Sequence, residues 1–342
     1  MDKSAHSAAW RINDKLAPDA SIADKLRFAV RYAVLAPSSH NTQPWRFAVD
    51  GQTLVLSADR LRALPVADPY DRELIISCGA ALMNLRIALA HLGLGYAITV
   101  FPARADPDVL AQVRIEPGAA RDERLAPLFD AIAQRVTTRL PFADEPVPGD
   151  VCLRLVDAAA AEGVEAICIS AAAERERIAD AIGEADRAQF DDPRFRRELA
   201  GWIHPRRRGD GMPAQAEGIE ALLDFTTPLA ALAIRTFDLG GGVAAAHHAL
   251  AAGSPLLVCL ATGADDAEAW LATGQALERL LLTGVREGLS ASYLNQPIEV
   301  DTLRARLRQT LALDATPQLL LRMGRGPHVE HAPRRPLEDV LS

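Results

Sequence analysis

A short polar stretch between Leu35 and Phe47 carries the densest group of side chains that could bind a ligand. It reads Leu-Ala-Pro-Ser-Ser-His-Asn-Thr-Gln-Pro-Trp-Arg-Phe. Pro37 cannot continue a helix, so Ser38, Ser39 and Asn41 are predicted to lie in a loop that precedes a strand. Such a loop offers hydrogen-bond donors and acceptors to the polar edge of a planar ligand. It could equally be a helix-to-strand turn that its own Ser and Asn side chains stabilise.

A second group of polar side chains lies mid-chain, in the segment Arg-Val-Thr-Thr-Arg-Leu-Pro-Phe that begins at Arg135. Arg135 and Arg139 are four residues apart, with the hydroxyl of Thr137 between them. Guanidinium groups bind phosphate and carboxylate oxygens through paired hydrogen bonds, so the segment could bind an anion. The alternative is a solvated charged turn.

Other ligand-binding patterns are weak in this sequence. The histidines His247, His248, His328 and His331 lack an accompanying thiol or carboxylate pattern, and the four cysteines are dispersed, so no metal site is predicted. The glycines at 240–242 could hold a phosphate before a helix, but they lack a preceding strand and the GxGxxG spacing. A flexible joint is the favoured interpretation there.

Composition limits the class of function. The chain has 342 residues, an apolar fraction of 49% and a net charge of -8, which argues against general nucleic-acid or anionic-membrane binding. No apolar run reaches the roughly 18 residues that span a bilayer, and no signal-peptide pattern is visible. We therefore expect a cytoplasmic protein in a reducing compartment.

The helices that must position these residues include a duplicated pattern. The segments Gly79–Ile87 and Gly274–Leu282 have apolar residues at matching helical positions, and both reach a Gly-Leu pair at the same distance, Gly93-Leu94 and Gly288-Leu289. Any two amphipathic helices align to some extent, but the shared glycine spacing favours a duplication.

Hydrophobic periodicity predicts a mixture of helices and strands without strict alternation, which is typical of the α+β class. Ser21 and Asp24 predict a capped start for the first helix, and Asp50-Gly51 predicts a hairpin. The predicted helices cover residues 22–36, 73–92, 151–161, 174–190, 228–238, 243–252 and 267–287. The predicted strands cover residues 46–49, 54–57, 96–101, 165–170, 256–261 and 318–323. In each repeat a charged helix is expected before the closing strand.

The stretch APSSHNTQPWRF resembles the flavin-binding loop of the nitroreductase family, a small residue followed by Pro-Ser-Ser-x-Asn-x-Gln-Pro-Trp. This resemblance implies that Pro37, Ser38, Ser39 and Asn41 contact FMN. The RVTTRLPF segment is similar to the family's Arg-x-Ser-x-Arg/Lys motif. By that likeness Arg135 and Thr137 bind the phosphate and ribityl chain, and Arg139 lies near N1 and O2 of the ring, where reduction places negative charge.

Two later segments also resemble family motifs. The Ser-Ala-Ser-Tyr-Leu-Asn-Gln-Pro segment is similar to the one that passes over the flavin ring, which implies contacts from Asn295 and Gln296, although many members have Glu-Gly there. The segment that contains Arg334 and Arg335 resembles the closing segment whose basic residue binds the FMN phosphate.

The whole pattern is most similar to the Acg-like branch of the nitroreductase family, in which one chain mimics the dimer. The resemblance implies two diverged halves, residues 1–130 and 131–342, around a central mixed or antiparallel sheet with packed helices, so that no obligate homodimer is required. The irregular stretch at about 201–218 is expected to be a lid or binding loop, with disorder as the alternative. The first repeat lacks the closing basic segment, so one FMN per chain is expected.

Two classes of function follow from the resemblance. The first is an FMN-dependent NAD(P)H oxidoreductase that acts on nitroaromatic, quinone or similar small planar acceptors, with no catalytic side chain beyond the flavin contacts. The second is a protein that sequesters FMN under a closed lid with little turnover. A third possibility is a fold that has lost its cofactor.

Overall fold

The computed structural model describes residues 8–10, 12, 16–17, 19–116, 118–203, 209–212, 232, 234–236 and 240–342. Its α-helices are α1 Ile22–Ala33, α2 Arg72–His91, α3 Phe129–Ile132, α4 Gly149–Ala160, α5 Ala172–Asp191, α6 Pro193–Gly201, α7 Gly240–Ala252, α8 Ala267–Arg286, α9 Gln296–Glu299 and α10 Asp301–Thr310. Its strands are β1 Trp45–Asp50, β2 Thr53–Ala58, β3 Tyr96–Val100, β4 Val109–Ile115, β5 Glu165–Ile169, β6 Leu256–Thr262, β7 Ser290–Tyr293 and β8 Thr316–Gly324.

The strands form two four-stranded antiparallel sheets, with the orders β1-β2-β4-β3 and β5-β6-β8-β7. The predicted α+β class is confirmed. The expectation of one central sheet was wrong, because the strands in the described residues form two separate sheets, one from each part of the chain. The strand order is nevertheless the same in the two sheets: in each, the fourth strand along the chain lies between the second and the third.

Local signals in the first sheet and the helix before it agree with the structure. The Ser21 hydroxyl accepts a hydrogen bond from the Asp24 backbone N–H at 3.1 Å and caps α1. Asp50 pairs with Thr53 across the predicted hairpin, and Gly51 has the positive φ of 57° that such a turn needs. The helix α1 ends at Ala33, three residues before the predicted end.

The long helices α2 and α8 cross at backbone distance. A Cβ atom added to Gly274 would lie 1.9 Å from the carbonyl oxygen of Ile76, and one added to Gly79 would lie 2.2 Å from that of Leu271. The contact is reciprocal, because each glycine faces the carbonyl three residues before the other. Only glycine permits helix backbones to approach this closely.

The helix α2 is long and apolar enough to cross a membrane by length and composition alone. However, 89% of its most apolar window is buried inside the protein. It lies between α1 and α8, with its residues in one core together with those of α1 and the first sheet. Burial on every side explains why it is apolar all round.

Three further predictions differ from the structure or fall outside it. Residues 101–108 contain no helix and join β3 to β4, so the charged helix expected in the first repeat was wrong, whereas α10 fills that place before β8. The glycines at 240–242 form the first turn of α7 and not a flexible joint. The predicted helix 228–238 lies outside the described residues, apart from 232 and 234–236.

The last residues of the chain pair with the edge of the first sheet. The Phe47 N–H donates to the carbonyl of Val340 at 2.7 Å, and the Ser342 N–H donates to the carbonyl of Phe47 at 2.9 Å. Residue Leu341 forms a parallel bridge with Phe47. A segment from the end of the sequence therefore extends a sheet made from its beginning.

The helix crossing generates a prediction about stability. We expect Gly274→Ala to lower the free energy of unfolding by about 1–3 kcal/mol or more, because the added methyl must separate α2 from α8. The measurement is urea denaturation followed by circular dichroism. The matched control is Gly242→Ala on α7, where nothing lies within 4 Å of the added Cβ. That variant should be neutral or more stable by up to about 1 kcal/mol. Equal effects of the two substitutions would contradict the crossing.

Candidate functional site

The turn between α1 and β1 has an unusual backbone conformation. His40, Asn41 and Gln43 all have positive φ angles, of 50°, 55° and 52°. Non-glycine residues adopt this region only when surrounding contacts hold them there. Here the hydroxyl of Ser38 accepts a hydrogen bond from the Gln43 N–H at 2.9 Å. The Ser39 N–H donates to the hydroxyl of Ser77 on α2 at 3.3 Å.

The Asn41 side chain joins this turn to two distant segments. Its Nδ2 donates to the carbonyls of Gly211 and Pro333, each at 3.0 Å. Its Oδ1 accepts a hydrogen bond from Arg334 Nη1, also at 3.0 Å. A residue predicted to contact the flavin therefore lies beside a predicted phosphate-binding arginine and beside the described part of the predicted lid.

Gln43, which the sequence reasoning did not select, makes a parallel set of contacts. It is fully buried. Its Nε2 donates to the carbonyl of Gly209 at 2.9 Å, and its Oε1 accepts from the N–H of Arg335 at 2.8 Å. Arg335 in turn donates to the carbonyl of Gln43 at 3.1 Å and lies 3.7 Å from the carboxylate of Asp59. Arg335 therefore fixes the closing segment against the turn.

Arg135 and Arg334 meet at one carbonyl oxygen next to Pro37. Each donates a hydrogen bond to the carbonyl of Leu35, at 3.0 Å and 2.9 Å, and Arg334 also donates to Ala36 at 3.0 Å. Both side chains are buried, at 4% and 3% exposure. Within the described residues, the Nε of each has no hydrogen-bond partner. Burial, aided by the charge of Arg135, lowers the pKa of Arg334 to about 9, so the Arg334 guanidinium remains charged at neutral pH.

Glu278 on α8 is a buried carboxylate beside this pair of arginines. It is 0% exposed, and its Oε1 lies 3.5 Å from Arg135 Nε. Neither carboxylate oxygen has a hydrogen-bond partner within the described part of the chain. Burial raises the pKa of Glu278 to about 7, although the charge of Arg135, the nearby Asn84 amide and the charge of Arg334 lower it. The sequence reasoning missed this residue, because a glutamate in an amphipathic helix resembles one on a solvated face.

Aromatic side chains surround the same group of charges. The rings of Trp10 and His331 stack with centroids 3.9 Å apart, and the guanidinium of Arg334 lies 4.9 Å from the Trp10 ring. Tyr293 is at the end of β7, and burial raises the pKa of its buried hydroxyl. Tyr293 belongs to the segment predicted to pass over the flavin ring. It lies just before Asn295 and Gln296, which were selected from the sequence.

A second buried carboxylate joins two predicted site residues from different parts of the chain. Glu73 on α2 accepts hydrogen bonds from the hydroxyl of Ser39 at 2.5 Å and from Nδ2 of Asn295 at 3.2 Å. Asn295 also accepts from the N–H of Leu320 on β8 at 2.9 Å. Both polar atoms of the Asn295 amide therefore form hydrogen bonds. Glu73 was not selected from the sequence.

The Gln296 side chain points to other partners. Its Nε2 lies 2.9 Å from Nδ1 of His247, which is itself 3.0 Å from the carboxylate of Asp186. These partners are on α7 and α5, and among the described residues no hydrogen bond joins the Gln296 side chain to the turn at 37–43. Gln296 is the predicted site residue whose amide the fold directs away from the others.

The segment after Arg135 continues along β7 towards the predicted lid. Thr137 forms a parallel bridge with Ala291, and its hydroxyl lies 3.5 Å from Arg135 Nη1. Arg139 Nη2 lies 3.4 Å from the sulfur of Met212, next to the Gly211 that Asn41 contacts. Ser39 and Arg139 are therefore linked through Asn41, Gly211 and Met212.

Arg322 on β8 fixes the same segment and was not predicted from sequence. It is 1% exposed, and its Nη2 donates to the carbonyls of Thr138 at 2.9 Å and Leu140 at 3.0 Å. Its guanidinium lies 4.3 Å from the ring of Phe142. Burial, with the charge of Arg139, lowers the pKa of Arg322 to about 10.

The described parts of the predicted lid are residues 201–203 and 209–212. The Met212 N–H donates to the carbonyl of Trp202 at 2.8 Å, which brings these two parts together. Arg62 forms an ion pair with Asp210 and lies 5.6 Å from the Trp202 ring. Residues 204–208 and 213–218 lie outside the described part of the chain.

The adjacent histidines do have carboxylate neighbours, contrary to the sequence interpretation. His248 lies near Glu176 and Asp180, with the three ligand atoms within 4.8 Å of one another. These groups are partly or fully exposed. Exposed carboxylates often approach a histidine without a metal, so the cluster is assigned no ligand.

Comparison with known proteins shows similarity over nearly the whole chain. The model of the nitroreductase family matches residues 132–325. The protein Rv3131 of Mycobacterium tuberculosis, provisionally named an NAD(P)H nitroreductase, is 32% identical over 325 residues, covering 93% of this chain and 91% of its own length. The acg protein of the same organism, with the same provisional name, is 30% identical over 336 residues, covering 95% and 97%.

Solved structures give weaker likenesses. The FMN-dependent nitroreductase NfnB from Mycobacterium smegmatis, in complex with NADPH, has a TM-score of 0.42 and 17% identity, covering 63% of this chain and 97% of its own. The FMN- and NADPH-dependent NfnB from a Sphingopyxis strain has a TM-score of 0.40 and 22% identity, with the same coverage. The family relationship rests on the sequence similarity.

The buried Glu278 generates a prediction about pH and stability. Because its pKa is raised on folding, its stabilising contribution is complete below about pH 4.5 and is lost as the pH rises through about 7. Glu278→Gln lacks this titration. We expect the fall in unfolding free energy between about pH 5 and pH 8 to be smaller in the variant by on the order of 2–3 kcal/mol. Urea denaturation at both pH values measures it, and an unchanged fall would contradict the assignment.

Proposed function

This chain belongs to the nitroreductase family, as its motifs predicted, and we propose that it is an FMN-dependent NAD(P)H oxidoreductase that binds one FMN per chain. The observation that carries the proposal is the meeting of Arg135 and Arg334 at the carbonyl of Leu35, beside Pro37. Relatives over the same length are named NAD(P)H nitroreductases, which supports the reductant. Nitroaromatics, quinones or similar small planar molecules are the proposed acceptors.

The polar groups of the site suit a flavin mononucleotide. Buried Nε–H groups of Arg135 and Arg334 that lack hydrogen-bond partners within the described residues are the donors that a phosphate needs. The hydroxyl of Thr137 lies beside Arg135 and suits the ribityl chain. The turn at Ser38, Ser39 and Asn41 supplies the polar contacts proposed for the ring. Arg335 is proposed to hold this turn in place through its hydrogen bonds with Gln43.

When bound, FMN would accept a hydride from NAD(P)H and deliver electrons to the acceptor. The protein's own residues bind, orient and shield. Arg139 is proposed to provide positive charge near N1 and O2 of the ring. The hydrogen bonds from Ser39 and Asn295 to Glu73 hold these two contact residues in fixed orientations. Gln296 is proposed to contribute through its backbone, since its amide faces His247.

We further propose that residues 1–130 and 131–342 correspond to the two subunits of a dimeric relative. The equal strand order of the two sheets and the reciprocal contact of Gly79 with Gly274 support this. The proposed site also combines both parts, because Arg135, Arg334 and Asn295 contact Leu35, Asn41 and Glu73, respectively. A second copy of the chain is not needed to complete such a site.

A second candidate function is the sequestering of FMN under a closed lid. The described lid residues are fixed to the first part of the chain, since Gly209 contacts Gln43, Gly211 contacts Asn41 and Asp210 pairs with Arg62. If these contacts persist with FMN bound, NAD(P)H cannot stack on the ring and turnover is slow.

We expect the purified protein to be yellow and to release about one FMN per chain on denaturation. Arg135→Ala and Arg334→Ala should each weaken FMN binding about 10- to 100-fold, the loss expected for a charge-assisted hydrogen bond. Riboflavin, which has no phosphate, is the matched ligand, and its affinity should change much less. Fluorescence titration of the empty protein measures both. A colourless protein that binds neither flavin would instead support a fold that has lost its cofactor.

Anaerobic mixing with NADH and with NADPH separates the two candidate functions. Rapid bleaching of the flavin absorbance by either nucleotide is expected for the oxidoreductase. Indifference to both nucleotides is expected for sequestering. If the lid causes the indifference, Arg62→Ala together with Gln43→Ala should speed bleaching at least about tenfold, because two of the three lid contacts are removed. The control is Arg154→Ala, which removes an exposed ion pair with Glu287.

A further inference from the structure

The interior near Leu35 contains an unbalanced group of charges. Arg135 and Arg334 each carry a positive charge, and Glu278 is the carboxylate that forms an ion pair with Arg135. No ion pair of Arg334 with a carboxylate occurs among the described residues. The three side chains are between 0% and 4% exposed. Buried charges without a full set of partners are costly, so the group is set up to receive an anion.

We propose that Glu278 couples phosphate binding to protonation: it balances the two arginines in the empty protein and takes up one proton when the phosphate of FMN binds. The inference rests on the proposed function and adds a residue that neither the sequence motifs nor the comparisons indicate. The proton comes from solvent and forms an O–H bond on the Glu278 carboxylate, with no electron transfer.

The physical reason is competition between two anions for the same cations. A phosphate dianion that binds Arg135 and Arg334 brings negative charge next to a carboxylate that is already fully desolvated. Like charges in a buried site cannot both remain ionised at low cost. Glu278 starts with a pKa of about 7, so a modest further rise keeps it protonated above neutral pH.

The other titratable groups near Glu278 and its two arginines change protonation little between about pH 7 and pH 8; Arg334, whose pKa is about 9, stays mostly protonated there. Burial raises the pKa of Tyr293 far above neutrality, so its hydroxyl stays protonated. Burial and the nearby charges of Arg135, Arg334 and His328 lower the pKa of His331 to about 4, so its ring stays neutral. Asn84 on α2, which also adjoins Glu278, has no charge. Proton uptake near neutral pH therefore reports on Glu278.

The experiment measures FMN and riboflavin affinities of the empty protein between about pH 7 and pH 8, where the FMN phosphate is mostly a dianion and Arg334 is mostly protonated. FMN affinity should fall as the pH rises, by up to about tenfold per pH unit, whereas riboflavin affinity should stay nearly constant. Glu278→Gln should bind FMN with little dependence on pH. The matched control is Glu162→Gln, which changes a partly buried glutamate paired with Arg86 and Arg279 and should keep the wild-type slope.

Calorimetry of wild-type protein in two buffers with different ionisation enthalpies gives a second readout that needs no variant. Uptake approaching one proton per FMN near pH 8, and far less for riboflavin, is the expected result. Zero uptake with FMN, or an equal pH slope in wild type and Glu278→Gln, overturns the role of Glu278 and leaves FMN binding intact. Failure of the wild-type chain to bind FMN at any pH overturns the proposed function itself, and this inference with it.

Discussion

The backbone contact between α2 and α8 at Gly79 and Gly274 is the constraint on which the rest of the arrangement depends. Two helices that touch without intervening side chains have little freedom to slide or rotate against each other. Glu278 lies about one helical turn beyond its glycine, and Glu73 lies less than two turns before the other. The crossing therefore fixes where both buried carboxylates lie, and through them the residues that they contact.

The buried charged groups of this interior lower the stability of the fold. Arg322 is held by carbonyl groups and the ring of Phe142 in place of a carboxylate, and Arg135 faces a glutamate whose own oxygens lack hydrogen bonds within the described residues. A core built only for stability would replace such groups with apolar side chains of similar volume. Buried charged groups of this kind are expected where a protein binds a charged ligand.

Local sequence signals predicted much of the fold. The cap at Ser21, the hairpin at Asp50-Gly51 and the long helix α8 depend on neighbouring residues, and the structure agrees with them. The division into two sheets depends on which strands meet in space, which no short window encodes. In the candidate site, the turn at 37–43, Arg135 and Arg334 were selected from motifs and lie together. Glu73 and Glu278 were missed because only tertiary contacts distinguish them from the solvated glutamates of other helices.

The pairing of Val340 and Ser342 with Phe47 has a consequence for how the protein is made. Arg334 and Arg335 lie a few residues before that pairing, and Arg335 is 292 residues after Gln43, so the intervening chain is synthesised before they can reach the turn. Until then the outer strand of the first sheet keeps unsatisfied backbone groups, and such an edge invites association with other chains. Synthesis of residues 334–342 thus closes the exposed edge and delivers both arginines together, so a polypeptide truncated before residue 334 would lack both at once.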